Sequence, residues 1–277
     1  MRKYASLVIL MLLVNLNYSC SKKQKQETLK VSSFNKIGII HNQFLTNIKN
    51  NFEIDENIAH EQDKIDFINQ FNVDFANSLN LTGKEKRLLI EGLSNNKNFI
   101  KQSYLIDYAF HNYSQLTVDT TENYNIFQII ENLKNDGLIG TKSYYILTTL
   151  AEQLQNHYEG EISDSELKLT VQQLVEEFNS SGYDINGEGE MVASILAIAT
   201  YSLEWWEDNQ TTEGAASRLF AVPAWAGADI VGGIISGAVA ASGQAILNGE
   251  VDWRIVAWAA AGGAINSSTG AVGKILK

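Results

Sequence analysis

PAWAGADIVGGIISGAVAASGQAILNGEVDWRIVAWAAAGGAINSSTGAVGKILK, residues 223–277, is the stretch whose pattern decides the fold. Glycine, alanine and serine replace here the charges that fill the preceding chain, and the spacing predicts two helices joined by a turn. Pro223 suits a helix start, where its missing N–H would have had no partner anyway. Asn248 and Gly249 both tolerate the left-handed conformation that ends helices. Asp252 can cap a second helix beginning at Trp253. In the first helix a four-residue step runs through Asp229, Gly233, Gly237, Ala241, Ala245 and Gly249; in the second it runs through Ala259, Gly263, Ser267 and Ala271. Residues four apart share a helix face, so each helix offers a groove nearly free of side chains, through which two backbones can approach closely. Gly233, Gly237, Ala241 and Gly263 are the expected packing positions.

The expected fold is all-α, a helical bundle with a glycine/alanine-rich C-terminal hairpin. From 34 to 182 apolar residues recur at helical spacing, which predicts helices over 34–52, 62–79, 82–94, 124–135, 143–158 and 163–178. Thr82 with Glu85, and Ser163 with Glu166, fit the capping box. Breaks fall at Asn95-Asn96, Asp136-Gly137 and Glu159-Gly160. A further helix over 190–206 is apolar nearly all round, and its uncharged run is too short for a bilayer span, so a buried core helix is expected. The implied division is a signal peptide over 1–20, a tether over 21–33, an acidic helical domain over 34–182, and an apolar helix plus hairpin over 183–277.

Net charge is −11, and the acidic excess lies between the two ends of the chain. Arg2 and Lys3 stand unopposed at the start, and the tail after Gly214 holds four basic and three acidic residues. An acidic body repels phosphate backbones, which argues against nucleic acid as a partner. Cys20 is the single cysteine, which excludes an intramolecular disulfide, a CxxC pair and any multi-cysteine zinc site.

MRKYASLVILMLLVNLNYSC, residues 1–20, has a basic start, an apolar run and a small residue before the cysteine. It resembles a bacterial lipoprotein signal, which is cut before a cysteine that becomes acylated. The usual leucine three residues before that cysteine is replaced by Asn17, with Leu16 one step further out; bacteria of the Bacteroidota are relaxed at these positions. The resemblance implies lipidation at Cys20 and an address in the cell envelope, at the outer membrane, with the membrane as partner through that lipid. The polar, lysine-rich SKKQKQETLKVSS then predicts a flexible tether.

GIIHNQFL, residues 38–45, is similar to a G-x-x-H-N-x-x-L element of Bacteroidota lipoproteins of unknown function, a family that brings no established activity. Gly38, His41, Asn42 and Leu45 fall on one helix face. The glycine permits close approach by another helix, and His41 and Asn42 are expected to hydrogen-bond whatever approaches. The other histidines, His60, His111 and His157, are scattered, with no HExxH, G-x-S-x-G or phosphate-binding loop. No enzyme is expected. Asp184, Asn186 and Glu188, with Gly189 next, match the opening of a calcium loop, but Ile195 stands where the bidentate glutamate belongs. Calcium is therefore a weak candidate, and no other cofactor is implied.

Two functional expectations remain. The first is a lipid-anchored helical envelope protein with a non-catalytic binding or structural role, its protein partner unknown. The second is a surface-tethered antibacterial effector, because the tail resembles in composition the glycine-zipper peptides of small bacteriocins. No charge interrupts 230–247 or 255–272, so each segment is near the roughly 20 residues a span requires. Glycine, serine, Gln244 and Asn266 dilute the leucine, isoleucine, phenylalanine and valine that drive insertion.

Overall fold

The computed structural model describes residues 28–52, 60–97, 125–209 and 223–275. The expected signal peptide with Cys20, the expected tether as far as residue 27, and His111 lie outside the described residues. Among the described residues the chain is all-helical, with nine α-helices and no strand. A 3-10 turn, Val31–Phe34, leads into α1 (Asn35–Asn51); α2 (Glu61–Ser78) and α3 (Gly83–Asn95) follow. Then come α4 (Ile126–Asn135), α5 (Thr141–Tyr158), α6 (Asp164–Ser180), α7 (Gly189–Asp208), α8 (Pro223–Asn248) and α9 (Trp253–Ile275). Helix ends fall within two residues of those expected from the sequence.

Local chemistry explains most of these ends. Thr82 and Ser163 close the two expected capping boxes, and Asn125 with Gln128 forms a third at the start of α4. Asp252 accepts from the Arg254 amide at 3.1 Å, which starts α9, while Gly249 ends α8 at φ +70°. α5 is different, because its flanking residue is Gly140, which has no side chain to offer. Glu188, far along the chain, takes that role: its carboxylate accepts from the Gly140 amide at 2.6 Å and from Ser143 Oγ at 2.8 Å. A capping-box glutamate does the same from within its own helix, and the negative charge also suits a helix N-terminus.

The innermost layer is α7, α8 and α9. Every described side chain of α9 from 256 to 269 is buried, as is α8 from 226 to 238 and α7 from 189 to 199. α1 and α3 cover α9, with α2 packed outside on α3; α4 and α5 cover α8, and α6 bridges α5 and α7. The covering helices are amphipathic, as their periods require. In α1, Ile37, Ile40, Phe44, Leu45 and Ile48 turn inward, and Lys49 and Asn50 turn to solvent. Each fully buried aliphatic side chain contributes roughly 1.5–3 kcal/mol, so the hairpin is the main apolar surface on which the sheath condenses.

Two expectations change. The division at 182/183 does not separate two cores, since one cluster holds Leu45, Ile130 and Leu147 beside Ile195, Val231 and Val256. The closest line of the hairpin is also displaced by one residue in α8. Gly232 and Ser236 lie against Gly263 and Ser267, so a methyl on Gly232 would sit 2.8 Å from the Gly263 carbonyl oxygen. Gly233 and Gly237 face α7 as much as α9. A methyl on Gly233 would meet nothing nearer than 3.6 Å, and one on Gly237 would meet the flexible Met191 side chain at 3.1 Å. Ala241 is buried, and Gly263 lies in the seam as expected. On its far side α9 uses Gly262, which meets the backbone of Gly92 in α3.

Candidate functional site: a polar tie inside the bundle

α8 is apolar over most of its length, so its lone acid, Asp229, requires partners once buried. It has four. Ser202 Oγ donates to Oδ2 at 2.5 Å, Trp206 Nε1 donates to the same oxygen at 3.0 Å, and Ser268 Oγ donates to Oδ1. His41 Nε2 lies 3.4 Å from Oδ2 and 3.0 Å from Ser268 Oγ. The side chains of His41 and Asp229 are wholly buried, as are Ser202 and Ser268. One carboxylate thus ties α1, α7, α8 and α9 together.

The GIIHNQFL element supplies the α1 side of this tie. Gly38 lets α1 press onto α7, where an added methyl would sit 2.9 Å from the Ala197 carbonyl oxygen and collide with the Tyr201 ring. Asn42 Nδ2 donates to the Tyr201 carbonyl at 2.8 Å, which leaves its amide oxygen 3.2 Å from His41 Nδ1. Leu45 is fully buried one turn further on. Gly38 and Asn42 thus hold α1 to α7, while His41 reaches past it to α8 and α9.

A histidine, an aspartate and a serine in contact invite comparison with a nucleophilic relay. There the carboxylate orients one ring nitrogen and the serine engages the other. Here Asp229 and Ser268 both face Nε2 and bond directly to one another, while Nδ1 faces an amide. A relay also requires a face that substrate can reach, and Ser268 has none. The geometry joins helices and provides no activated nucleophile.

A second tie lies nearby on α9. Asn266 Nδ2 donates to the Leu93 carbonyl of α3 at 2.8 Å, and Asn72 Nδ2 of α2 donates to Asn266 Oδ1 and Thr269 Oγ1, each at 3.1 Å. The run Asn266, Ser267, Ser268, Thr269 therefore addresses α2 and α3, α8, and α1, in different directions. Residues three apart on a helix share a face, so Asn266 and Thr269 both meet Asn72, while Ser267 turns to α8 and Ser268 to α8 and α1.

Two of the three weak calcium candidates are engaged in other bonds. Glu188 turns its carboxylate onto the start of α5, and Asn186, at φ +65°, gives its amide to Glu190 Oε1 at 3.1 Å. Asp184, Asn186 and Glu188 form a turn between α6 and α7, and no group of three or more His, Cys, Asp or Glu among the described residues could hold a metal ion. Burial raises the Tyr183 phenol above its ordinary pKa, against the lowering effect of its bond with Ser143. His157 joins α5 to α6 through Asp164 at 2.8 Å, and His60 is exposed before α2. On the outer surface an open groove between α1 and α2 is lined by Ile39, Asn42, Gln43, Phe75, Leu79 and Tyr201.

Ser202, Ser268 and Asn72 were not singled out from the sequence, Trp206 was read only as closing its helix, and Asp229 only as a member of the four-residue step. One signal was available: a single acid within a long apolar helix must find donors. No family model, curated protein or solved structure matches the chain.

Proposed function

We propose that this is a lipid-anchored, all-helical cell-envelope protein that acts without catalysis, by binding or as a structural element. The observation that carries the non-catalytic part is the closed wiring of Asp229, His41 and Ser268, whose polar atoms are directed at one another inside the bundle. The anchor rests on the order of charged, apolar and small residues that ends at Cys20. The test is Cys20→Ser in cells fed a labelled fatty acid. Wild type should take up label and fractionate with membranes, and the variant should lose both. A variant that still labels and sediments like wild type overturns the anchor.

One observation favours a second reading, a membrane-active effector. The segment Ala226–Asn248 of α8 is long and apolar enough to cross a bilayer, and 56% of its most apolar window is buried. Against it stand the ties at Asp229 and at 266–269, which insertion would have to break. Dye release from liposomes by the full chain separates the two: the structural reading expects none, and the effector reading expects leakage.

A further inference from the structure

The turn of the α8–α9 hairpin exposes two large aliphatic side chains, Ile246 at 82% and Leu247 at 83%, with Val239 behind them at 43%. Its position relative to the start of the described chain follows from three sets of contacts. α7 and α8 are antiparallel, since Trp206 and Ser202 meet Asp229, Ile198 lies near Gly233, and Met191 lies near Gly237. The start of α7 is therefore level with Gly237, and the remaining 11 residues of α8 extend past it by about 16 Å. Leu29 gives its amide to the Tyr183 carbonyl at 2.9 Å, and Val31 gives its own to Asn179 Oδ1 at 3.0 Å. Tyr183 in turn packs on Gly189, the first residue of α7. The N-terminal segment thus joins the bundle at the end from which the hairpin turn projects.

We infer that the hairpin turn is a second membrane contact, pressed into the bilayer that holds the lipid on Cys20. This rests on the anchor proposed above. Seven residues lie between Cys20 and Thr28, a reach from one to the other of at most about 28 Å when extended, so a tethered bundle presents this end to the membrane. The contact is apolar in kind. Glu250 and Asp252 flank the turn with only Arg254 to oppose them, so the turn itself offers anionic headgroups no basic cluster, whatever the tether lysines add. Exposed aliphatic side chains entering the acyl boundary require no lipid charge. The opposite end of the bundle, where α1 stops near Asn209 through Lys49, faces away.

The test uses the full acylated chain in phosphatidylcholine vesicles, with an environment-sensitive dye on Leu247→Cys or, at the far end, on Asn50→Cys. Cys20 carries the lipid, so each introduced thiol is the only free one. The dye at 247 should shift to the blue and become several-fold less accessible to iodide, with no change in high salt; the dye at 50 should stay open to water. Equal access at both positions, in chains that float with the vesicles, overturns the membrane contact and leaves the anchor standing. Wild type that fails to float overturns the anchor, and the inference falls with it. The Cys20→Ser, Leu247→Cys chain without vesicles covers the remaining occupant: a dye already shielded there means a second copy covers the turn, and that also overturns the inference.

Discussion

Gly232 and Gly263 meet backbone to backbone across the hairpin, and neither position has room for a methyl group. Leucine at Gly263 should therefore force α8 and α9 apart, at the upper end of the about 1–3 kcal/mol typical of overpacking. For a chain of this size that is a fall in Tm of about 2–4 °C per kcal/mol. Gly233→Ala is the control. Its nearest neighbours lie at 3.6 Å or beyond, and alanine gains up to about 1 kcal/mol of helix propensity over glycine. Thermal unfolding should rank Gly233→Ala at or above wild type and Gly263→Leu well below it; the reverse order would move the seam.

The tie at Asp229 predicts coupling between residues far apart in sequence. Asp229→Ala takes an acceptor from Ser202, Trp206 and Ser268, and losing the partner of a buried polar group costs about 1–3 kcal/mol. His41→Ala and Asp229→Ala should combine to less than the sum of their separate costs, with a coupling of about 0.5–3 kcal/mol. A double-mutant cycle in urea measures this, and strict additivity would break the link drawn between α1 and α8.

Glu188→Gln should loosen the start of α5 by about 0.5–2 kcal/mol, the range for losing a helix cap. Hydrogen exchange should show this at residues 140–144 before the rest of the helix. Adding calcium or a chelator to wild type should leave Tm unchanged. A rise in Tm with calcium that Glu188→Gln abolishes would restore the metal site.

The capping boxes give a pH dependence of definite sign. Glu166 is held below its usual pKa by the Ser163 amide and hydroxyl. For Glu85 burial pulls upward, but the Lys36 ammonium and the Thr82 hydroxyl and amide outweigh it, and the net shift is also down. A carboxylate whose pKa is lower in the folded state stabilises the fold above its unfolded pKa, near 4.5, and loses that contribution as pH falls through the lower folded value. Wild type should thus exceed Glu85→Gln and Glu166→Gln in Tm at pH 7, and the gaps should close below the usual glutamate range. A gap that persisted in acid would assign it to something other than charge.

What the sequence disclosed was whatever rests on near neighbours in the chain. The helices, the boxes at Thr82 and Ser163, the turn at Gly249 and the cap at Asp252 all depend on residues within four positions of one another. Burial of the helix at 190–206 was equally legible, because a helix without a polar face has nowhere else to go. The misses are non-local. Glu188 resembles a calcium ligand until α5 is placed beside it, and then it is a cap. In 229–241 a strict four-residue step selects Gly233 and Gly237, whereas a helix repeats every 3.6 residues and α9 seats one position away, on Gly232 and Ser236. His41 announced a contact, but the identity of its partners depended on the assembled bundle.

The order of the helices along the chain has its own consequence. The bond from His41 to Ser268 closes a loop of 227 residues, and that from Asn72 to Thr269 one of 197. Helical bundles as a class fold fast because their contacts are local; this one surrounds its last helix with its first. On a chain made from the N-terminus, α1, α2 and α3 emerge long before the surface they cover. Their apolar faces must wait, and the bundle can close only once α9 is free of the machinery that makes it. Until α9 is made, the seam through His41 and Ser268 and that through Asn72 and Thr269 cannot form.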